Sequence, residues 1–324
     1  MTKLKLSGKK ILVTGGFGFI GSHLIESLIK ENSICIIDNE YRGSNLSYLK
    51  KHFPHEFKKN IKFKKIDITK YNPLSTAIKS FKPEIVFHLA GIAGVSTVAK
   101  NPMRVIDVNL IGSYNLAKSI SQIDSVKKII FTSTSEVYGN LAFQQNENDY
   151  TTQGSPYDQR WSYATSKLFS EHIFVSLEKE LGIKIAIPRL FNIYGPRQIG
   201  SGAIHEFVKR AIDGKPLFLY NDGSQIRAWC YIADCIDGIR LIAEKGNGIY
   251  NIGNPYESLS STALAKIIVE ISKSKSKLIF KKLNTTDIRL RVPNIGKISK
   301  LGYVPKFDLR KGLEHTHDWY MSKN

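Results

Sequence analysis

Long apolar runs and cysteine are both scarce in this sequence, and each scarcity excludes a class of protein. No uninterrupted apolar run approaches the ~20 residues of a membrane-spanning helix, so we expect no membrane span. Three cysteines, Cys35, Cys230 and Cys235, are too few and too scattered among 324 residues to form a disulfide framework. Cys230 and Cys235 lack a metal-ligand partner pair, and no second histidine or cysteine stands at metal spacing from His88, so we predict no metal site. We expect a cytoplasmic setting, where thiols stay reduced.

Acidic residues are also in deficit, since 28 Asp and Glu face 47 Lys and Arg and leave a net charge of +19. An excess of this kind is typical of nucleic-acid-binding proteins. Here the lysine pairs, for example at 9–10, 50–51 and 127–128, are spread along the whole chain, and no basic helix with interleaved aromatic residues occurs. We therefore predict no nucleic-acid partner, because an anionic small-molecule substrate is the better account of the charge.

Glycine is concentrated in one turn near the start of the chain. Residues 11–14 read as a buried strand, residues 15–21 contain Gly15, Gly18 and Gly21, and a helix is predicted from about 22 to 30. A strand, a glycine turn and a helix in this order form the usual site for a dinucleotide pyrophosphate. Glycines let the backbone approach the phosphates, and the helix N-terminus directs amide groups at them.

An acidic residue ends the second predicted strand, about 20 residues after the glycines. Asp38 follows the apolar run 34–37 and is placed to hydrogen-bond a ribose diol. Its charge repels a 2′-phosphate, so we predict NAD rather than NADP. Arg42 follows closely, and a role for Arg42 in holding NADP remains open.

The first half of the chain alternates between strands and helices. Further strands are predicted at 60–67, 85–90 and 128–133, with a helix over 102–121. This alternation predicts an α/β fold with a doubly wound parallel sheet, the Rossmann arrangement. We assign residues 1–188 to this NAD-binding domain and residues 189–324 to a smaller C-terminal α/β lobe.

Tyr163 and Lys167 stand four residues apart in a segment with helical spacing of apolar residues. On a helix both side chains leave the same face, one turn apart. An ammonium beside a phenol favours the phenolate, so we expect a lowered pKa for Tyr163 and a role as general base. Thr134 and Glu136 follow the fifth strand, at the sheet edge where ligands bind, and can serve as a substrate contact and as an acid or base.

These motifs together resemble the extended short-chain dehydrogenases/reductases that modify nucleotide sugars. The resemblance rests on the glycine turn, Asp38, the segment 134–139, the Tyr163 and Lys167 pair and the run 190–197, in family order along nearly the whole chain. It implies a tightly held NAD and a nucleoside diphosphate sugar as substrate. It also implies that the lobe 189–324 binds this substrate, with possible return strands to the first domain, and that the chain forms a homodimer through a helical bundle. The cofactor-binding residues that it implies are Gly15, Gly18, Phe19, Ile20, Gly21, Asp38, Asn39, Asp67, Ile68, Leu89, Ala90, Tyr163 and Lys167.

The resemblance also implies transient oxidation at sugar C4, with Tyr163 as base assisted by Lys167 and Thr134. The 4-keto sugar then loses carbon dioxide, is reduced on its other face to an epimer, or loses water. Glu136 and Arg160, and an arginine-rich segment at 287–295, resemble the UDP-glucuronate decarboxylases most closely. Decarboxylation is therefore the leading hypothesis, and a UDP-sugar 4-epimerase and a 4,6-dehydratase are the alternatives.

The second half of the chain supplies most of the implied substrate contacts. Arg291 is expected to contact a sugar carboxylate or help protonate the intermediate, because a guanidinium binds carboxylates bidentately. A diphosphate contact is an alternative role for it. A non-catalytic NAD-binding regulator remains a rival function. The implied substrate-binding residues are Arg160, Asn192, Arg197, Leu217, Tyr220, Arg227 and Arg291.

Overall fold

The computed structural model describes residues 4–200, 202–282 and 286–323. Its strands are β1 (Lys10–Thr14), β2 (Ser33–Asp38), β3 (Ile61–Lys65), β4 (Ile85–His88), β5 (Lys128–Phe131), β6 (Ser133–Thr134), β7 (Leu141–Gln145), β8 (Lys184–Leu190), β9 (Ile193–Tyr194), β10 (Leu217–Tyr220), β11 (Ile226–Ala228), β12 (Cys230–Tyr231), β13 (Gly248–Ile252), β14 (Ser258–Ser260), β15 (Leu278–Lys281) and β16 (Leu290–Pro293).

Helices alternate with these strands in the first half and cluster in the second. They are α1 (Phe19–Leu28), α2 (Leu46–His52), α3 (Pro54–Asn60), α4 (Tyr71–Phe81), α5 (Val95–Lys100), α6 (Pro102–Ile106), α7 (Gly112–Ile120), α8 (Trp161–Leu181), α9 (Ala203–Ile212), α10 (Ile232–Lys245), α11 (Ser261–Ile271), α12 (Gly296–Ser299) and α13 (Leu309–Met321). Within the described ranges no helix has both the length and the apolar character to cross a membrane.

The main sheet has the strand order β13-β8-β5-β4-β1-β2-β3, with the short β6 also paired to β8. All of its pairings are parallel. The strand order reverses between β1 and β4, and in open sheets of this kind ligands bind at that reversal, beyond the carboxyl ends of the strands. The predicted doubly wound parallel sheet is confirmed.

Both faces of the main sheet are covered, which explains why its central strands are apolar without alternation. Residues 11–14 of β1 and all of β4 are buried. One face packs against α1 and α10 in the larger apolar core, and the other packs against α4, α7 and α8. This packing on both faces fixes the carboxyl ends of the strands, the edge of the sheet at which ligands are expected to bind.

The predicted helix over 102–121 is interrupted. α6 passes into a π-helical turn at Asp107–Ile111 and then into α7. Inside that turn, Asn109 accepts a hydrogen bond from the amide of Ile92 (2.8 Å) and donates one to the carbonyl oxygen of Ile92 (2.9 Å). The turn is therefore fastened to the loop after β4, next to the cleft.

The second half of the chain builds a smaller sheet with the order β14-β11-β16-β7 and contributes β13 to the main sheet. β7, from the first half, pairs with β16 near the end of the chain. β8 spans residue 188, and β13 lies beside it. The division into 1–188 and 189–324 remains a prediction.

Candidate active site

A cleft of about 450 Å³ opens at the carboxyl ends of the main-sheet strands, where the strand order reverses. It is lined by all of the predicted catalytic and cofactor-binding residues and by two of the predicted substrate-binding residues, Asn192 and Arg291. Arg160, Arg197, Leu217, Tyr220 and Arg227 do not line it. The cleft therefore unites the motifs from the first half of the chain with two positions from the second.

The glycine turn after β1 is required by close backbone packing. Gly15 has a φ of +70°, and a Cβ atom there would lie 2.7 Å from the backbone of Ala90 in the loop after β4. A Cβ atom on Gly21 would overlap the carbonyl oxygen of Gly15. No other residue type fits these positions without moving the backbone. The resulting cradle of amide groups is the arrangement that accepts a pyrophosphate.

Asp38 is held in place by the backbone around it. Its carboxylate accepts hydrogen bonds from the amides of Phe17 (2.9 Å) and Glu40 (2.7 Å). Burial raises the pKa of Asp38, and these hydrogen bonds oppose the rise. The carboxylate thus stands fixed at the end of β2, where the predicted ribose contact requires it.

Asp67 is already engaged by its neighbours. It pairs with Arg104 (2.5 Å) and accepts hydrogen bonds from Asn39 (3.1 Å) and from Thr69. Burial opposes these contacts, but together they lower the pKa of Asp67 to about 2. Asp67 is therefore an anion that organises the rim of the cleft.

The helix α8 carries Tyr163 and Lys167 into the cleft as predicted, but the expected pKa direction is wrong. Desolvation first and the charge of Glu136 second raise the pKa of Tyr163 to about 12. A hydrogen bond with Thr134 and the charges of Arg42 and Arg291 act in the lowering direction. Lys167 is not among the groups that shift this pKa most, and its Nζ donates to the carbonyl oxygen of residue 132 (2.8 Å).

Lys167 is almost completely buried, with 5% of its surface exposed. Its ammonium lies over the Phe131 ring, 4.8 Å from the ring centre. Burial lowers the pKa of Lys167 to about 8, and the carboxylate of Glu171 opposes that change. The amine therefore remains mostly charged at neutral pH.

Glu136 lies between two arginines at the other end of the cleft. Its carboxylate is 3.4 Å from Arg160 and 3.4 Å from Arg291, and both guanidinium groups are buried. Arg291 also donates to the carbonyl oxygen of Gly139 (2.8 Å). Among the residues that the structure describes, no hydrogen-bond partner meets the buried Nε atoms of Arg160 and Arg291. Such groups are costly unless an acceptor completes them.

A third guanidinium belongs to the same cluster. Arg227 on β11 is in register with Arg291 on β16. Desolvation first, and then the charges of Arg291 and Arg160, lower the pKa of Arg227 to about 9. Arg160 and Arg291 both pair with Glu136. Asp287 and Glu136 act on Arg227 through their charges. The cluster of guanidinium groups makes this end of the site suited to an anionic ligand.

Two other predicted substrate residues are engaged elsewhere. The guanidinium of Arg197 pairs with Glu26, contacts His23 and lies over the Tyr48 ring, all away from the cleft. The amide of Asn192 donates to the carbonyl oxygen of Ala228 (2.9 Å) while the residue lines the cleft. Asn192 thus joins the cleft to the segment that carries Arg227.

Leu217 and Tyr220 lie on β10, which pairs with β15. The side chain of Leu217 is in the apolar core, and that of Tyr220 is half exposed. Their predicted contact with a nucleotide base remains a prediction.

Sequence reasoning missed the position of Arg42 in the cleft. Arg42 was considered only as an NADP contact, but its charge acts on Tyr163, and a Cβ atom on Gly200 would overlap its guanidinium. It also missed Glu171, which hydrogen-bonds Ser133 directly before Thr134 (2.5 Å). The spacing of Glu171 four residues after Lys167 on the predicted helix was a signal that could have found Glu171. No local sequence pattern indicates the position of Arg42.

Comparison with known proteins gives a consistent result. A model of the NAD dependent epimerase/dehydratase family matches residues 11–253. The chain is 34% identical to UDP-N-acetyl-alpha-D-glucosaminuronate decarboxylase of Bacillus cytotoxicus, over 96% of this chain and 98% of that protein. It is also 34% identical to UDP-glucuronic acid decarboxylase 6 of Arabidopsis thaliana, over 96% of this chain and 89% of that protein.

Among solved structures, the fold is similar to UDP-glucuronic acid 4-epimerase from Bacillus cereus in complex with UDP-glucuronic acid and NAD. The TM-score is 0.87 and the identity 30%, over 97% of this chain and 100% of that one. The similarity therefore extends over both halves of the chain.

Proposed function

The chain belongs to the NAD dependent epimerase/dehydratase family, and from that premise we propose that it is an NAD-dependent UDP-glucuronate decarboxylase acting through a 4-keto sugar. The observation that carries the proposal is the pair of buried guanidinium groups on either side of Glu136, Arg160 and Arg291, each with an unpartnered Nε. The two relatives named as uronate decarboxylases support it.

The cofactor end of the cleft fits NAD. The glycine cradle receives the pyrophosphate, because side chains at Gly15 and Gly21 would fill the space and collide with backbone. Asp38 is fixed for the ribose diol and, as an anion, disfavours a 2′-phosphate. When bound, NAD supplies the oxidation and later re-reduction of C4, and its oxidised ring adds a positive charge that favours the Tyr163 phenolate.

Tyr163 is the base in this proposal. It removes the proton of the C4 hydroxyl group, while Thr134 hydrogen-bonds the phenol oxygen and orients it. Lys167 stands one helical turn away as a buried ammonium fixed on the carbonyl oxygen of residue 132. The charges of Arg42 and Arg291 assist by favouring the phenolate form.

The arginines act on the sugar carboxylate. A ketone at C4 makes the C6 carboxylate a β-keto acid, so the C5–C6 bond breaks, carbon dioxide leaves and the electron pair forms an enolate at C4 and C5. Arg291, which lines the cleft, orients the carboxylate before cleavage through its Nε–H group. Arg160, which pairs with Glu136 but does not line the cleft, adds its charge. A proton then returns to C5, and Arg291 is placed to assist its delivery.

The nucleotide end of the substrate is assigned to the second half of the chain, residues 189–324. Arg227 and Asn192 are the proposed diphosphate contacts, because both adjoin the arginine cluster. Leu217 and Tyr220 are proposed to present the backbone of β10 to the base. Arg197 is engaged with Glu26 and acts only indirectly, by holding the loop after β9 against α1.

A UDP-glucuronate 4-epimerase is the second candidate. The same arginines would hold the carboxylate in an epimerase, and the solved epimerase from Bacillus cereus has 30% identity to this chain. The two functions differ in the fate of the 4-keto sugar. An epimerase must hold the carboxylate where the C5–C6 bond cannot align with the ketone, so that carbon dioxide is not lost.

Incubation of the purified chain with UDP-glucuronate, followed by mass spectrometry, tests the proposal. We expect a product lighter by one carbon dioxide, with none from UDP-glucose. A product of unchanged mass and new retention time would favour the epimerase instead. Arg291→Lys is the matched variant, because it keeps the charge but loses the bidentate geometry and should slow carbon dioxide release.

A homodimer is proposed as the assembly. α7 and α8 pack against each other and leave Tyr114, Phe169 and Leu181 about half exposed. Apolar surface of this kind is typical of an interface. Light scattering should give the mass of a dimer, and Phe169→Glu should give that of a monomer; a monomeric parent chain would refute the assembly.

A further inference from the structure

A buried ion pair lies behind the cleft and is not part of the reaction proposed above. Glu171 stands on α8 one turn beyond Lys167, and Arg189 lies on β8; each is 3% exposed. Two hydrogen bonds join them, from Arg189 Nε to Glu171 Oε1 (3.0 Å) and from Arg189 Nη2 to Glu171 Oε2 (2.6 Å). A buried pair is retained at a desolvation cost, which further hydrogen bonds must offset.

Those further bonds lead toward the reacting groups. Ser133 donates to Glu171 Oε1 (2.5 Å) and is in register with Arg189 across β6 and β8. Ser133 directly precedes Thr134, whose side chain hydrogen-bonds Tyr163. Glu171 therefore ties the helix that bears Tyr163 to the strand that bears Thr134.

Glu171 is also the carboxylate that acts on Lys167. His88 on β4 is a further titratable group on which this ammonium acts. His88 is neutral, since burial and the charge of Lys167 lower its pKa to about 3. The charge of Glu171 opposes the effect of burial on the ammonium, and Arg189 donates to both oxygens of that carboxylate.

We infer that Glu171 is a positioning residue, which fastens α8, the helix of Tyr163, to β6, the strand of Thr134, and so aligns Thr134 with Tyr163. The inference rests on the proposed function, because it assigns Glu171 a role through the same reacting groups. Its charge acts on Lys167, and its hydrogen bond acts on the β6 strand. The two effects can be separated by substitution.

Glu171→Gln tests the effect of charge. Loss of the carboxylate removes the stabilisation of the ammonium, so the fall in kcat on the alkaline side is expected about one pH unit lower than in the parent chain. Glu171→Asp keeps the charge. It should lower kcat but leave the pH at which kcat falls on the alkaline side unchanged. Glu178→Gln, the same change farther along α8, where Glu178 accepts a hydrogen bond from Asn247, is the matched control.

A second readout does not depend on turnover. The pH dependence of acetylation of Lys167 by acetic anhydride, measured by peptide mass spectrometry on the full chain, reports the amine directly. We expect the midpoint for Glu171→Gln about one unit lower, and no change for Glu178→Gln. Identical acetylation midpoints in the two variants would overturn the charge role of Glu171. This outcome does not depend on which substrate the enzyme uses.

Ser133→Ala keeps the inference testable if Glu171→Gln fails to fold. This variant removes the hydrogen bond to Glu171 and leaves every charge in place. We expect kcat to fall on the order of tenfold with KM unchanged, because Thr134 loses its alignment. The acetylation midpoint of Lys167 should stay unchanged. A parent value of kcat would overturn the alignment role.

Discussion

The cofactor end and the sugar end of the cleft are built on different physical principles. At the cofactor end the backbone forms the site: Gly15 and Gly21 pack directly on neighbouring backbone, and Asp38 is held by two amide groups. At the sugar end side chains form the site: Arg160 and Arg291 flank Glu136, and each has a buried Nε without a partner.

This difference indicates which end determines specificity. At the cofactor end the glycines are packed on backbone and the Asp38 carboxylate is already hydrogen-bonded. Such a site suits a ligand that is common to a whole family. Buried donors that lack an acceptor cost about 1–3 kcal/mol each, and more when charged, until a ligand completes them. We therefore propose that the sugar end selects the substrate, and the predictions below separate the two ends.

The largest effect is expected at Tyr163, where the two ends meet. Tyr163→Phe removes the base and should lower kcat by about 10²–10⁴-fold while NAD remains bound. Steady-state kinetics and the NAD content of the purified chain measure the two results. Tyr256→Phe, at an exposed position outside the cleft, is the control. Normal turnover by Tyr163→Phe would refute the assignment of the base.

The next effect belongs to the sugar end alone. Arg291→Ala should lower kcat/KM for UDP-glucuronate about ten- to a hundredfold, since charged hydrogen bonds contribute about 1.5–3 kcal/mol. NAD content should not change. Arg310→Ala removes an exposed arginine that pairs with Glu270 and should have no effect. An equal loss of NAD and activity in Arg291→Ala would remove the distinction between the ends.

A glycine substitution addresses the cofactor end alone. Gly15→Ala places a methyl group against the backbone of Ala90 and should reduce both NAD content and Tm. Gly182→Ala is a close control, because its φ of +68° matches the +70° of Gly15 but nothing lies within 4 Å of its Cβ position. In both variants an alanine at positive φ costs about 1–2 kcal/mol. The variants therefore differ only in the collision of the new methyl group with the backbone of Ala90. If the two variants lost equal amounts of Tm and kept their NAD content, the inference that Gly15 forms part of the NAD-binding cradle would be wrong.

The smallest effect is a change in pH dependence. The charge of Glu136 raises the pKa of Tyr163. Removing that charge in Glu136→Gln lowers the pKa of the phenol, so the phenolate forms at lower pH. The rise of kcat with pH should therefore move down by about one unit. A rise that moves upward would mean that Glu136 assists ionisation of Tyr163.

Local patterns sufficed to predict the cofactor end. The glycine turn, Asp38 and the i, i+4 pair of Tyr163 and Lys167 each lie within a few residues of chain, and strand and helix periods position them. The parallel sheet followed from the alternation of those elements. Such features depend on short-range geometry, which a single sequence contains.

The sugar end depends on pairings between distant segments. Arg291 meets Arg227 only because β16 lies beside β11, and β7 joins the same sheet from the first half of the chain. The direction of the Tyr163 pKa was wrong for a related reason. Desolvation and the approach of Glu136 are properties of the folded cleft, and the spacing of Tyr163 from Lys167 does not contain them.

The central claim is that the sugar end of the cleft recognises a sugar carboxylate. The most direct test measures substrate binding in a variant that cannot turn the substrate over. Calorimetry on NAD-loaded Tyr163→Phe should compare UDP-glucuronate with UDP-glucose, which differ at C6. We predict that UDP-glucuronate binds at least about tenfold more tightly, through the guanidinium groups of Arg160 and Arg291, whose Nε atoms lack an acceptor among the described residues. Equal affinities, or tighter binding of UDP-glucose, would contradict the account.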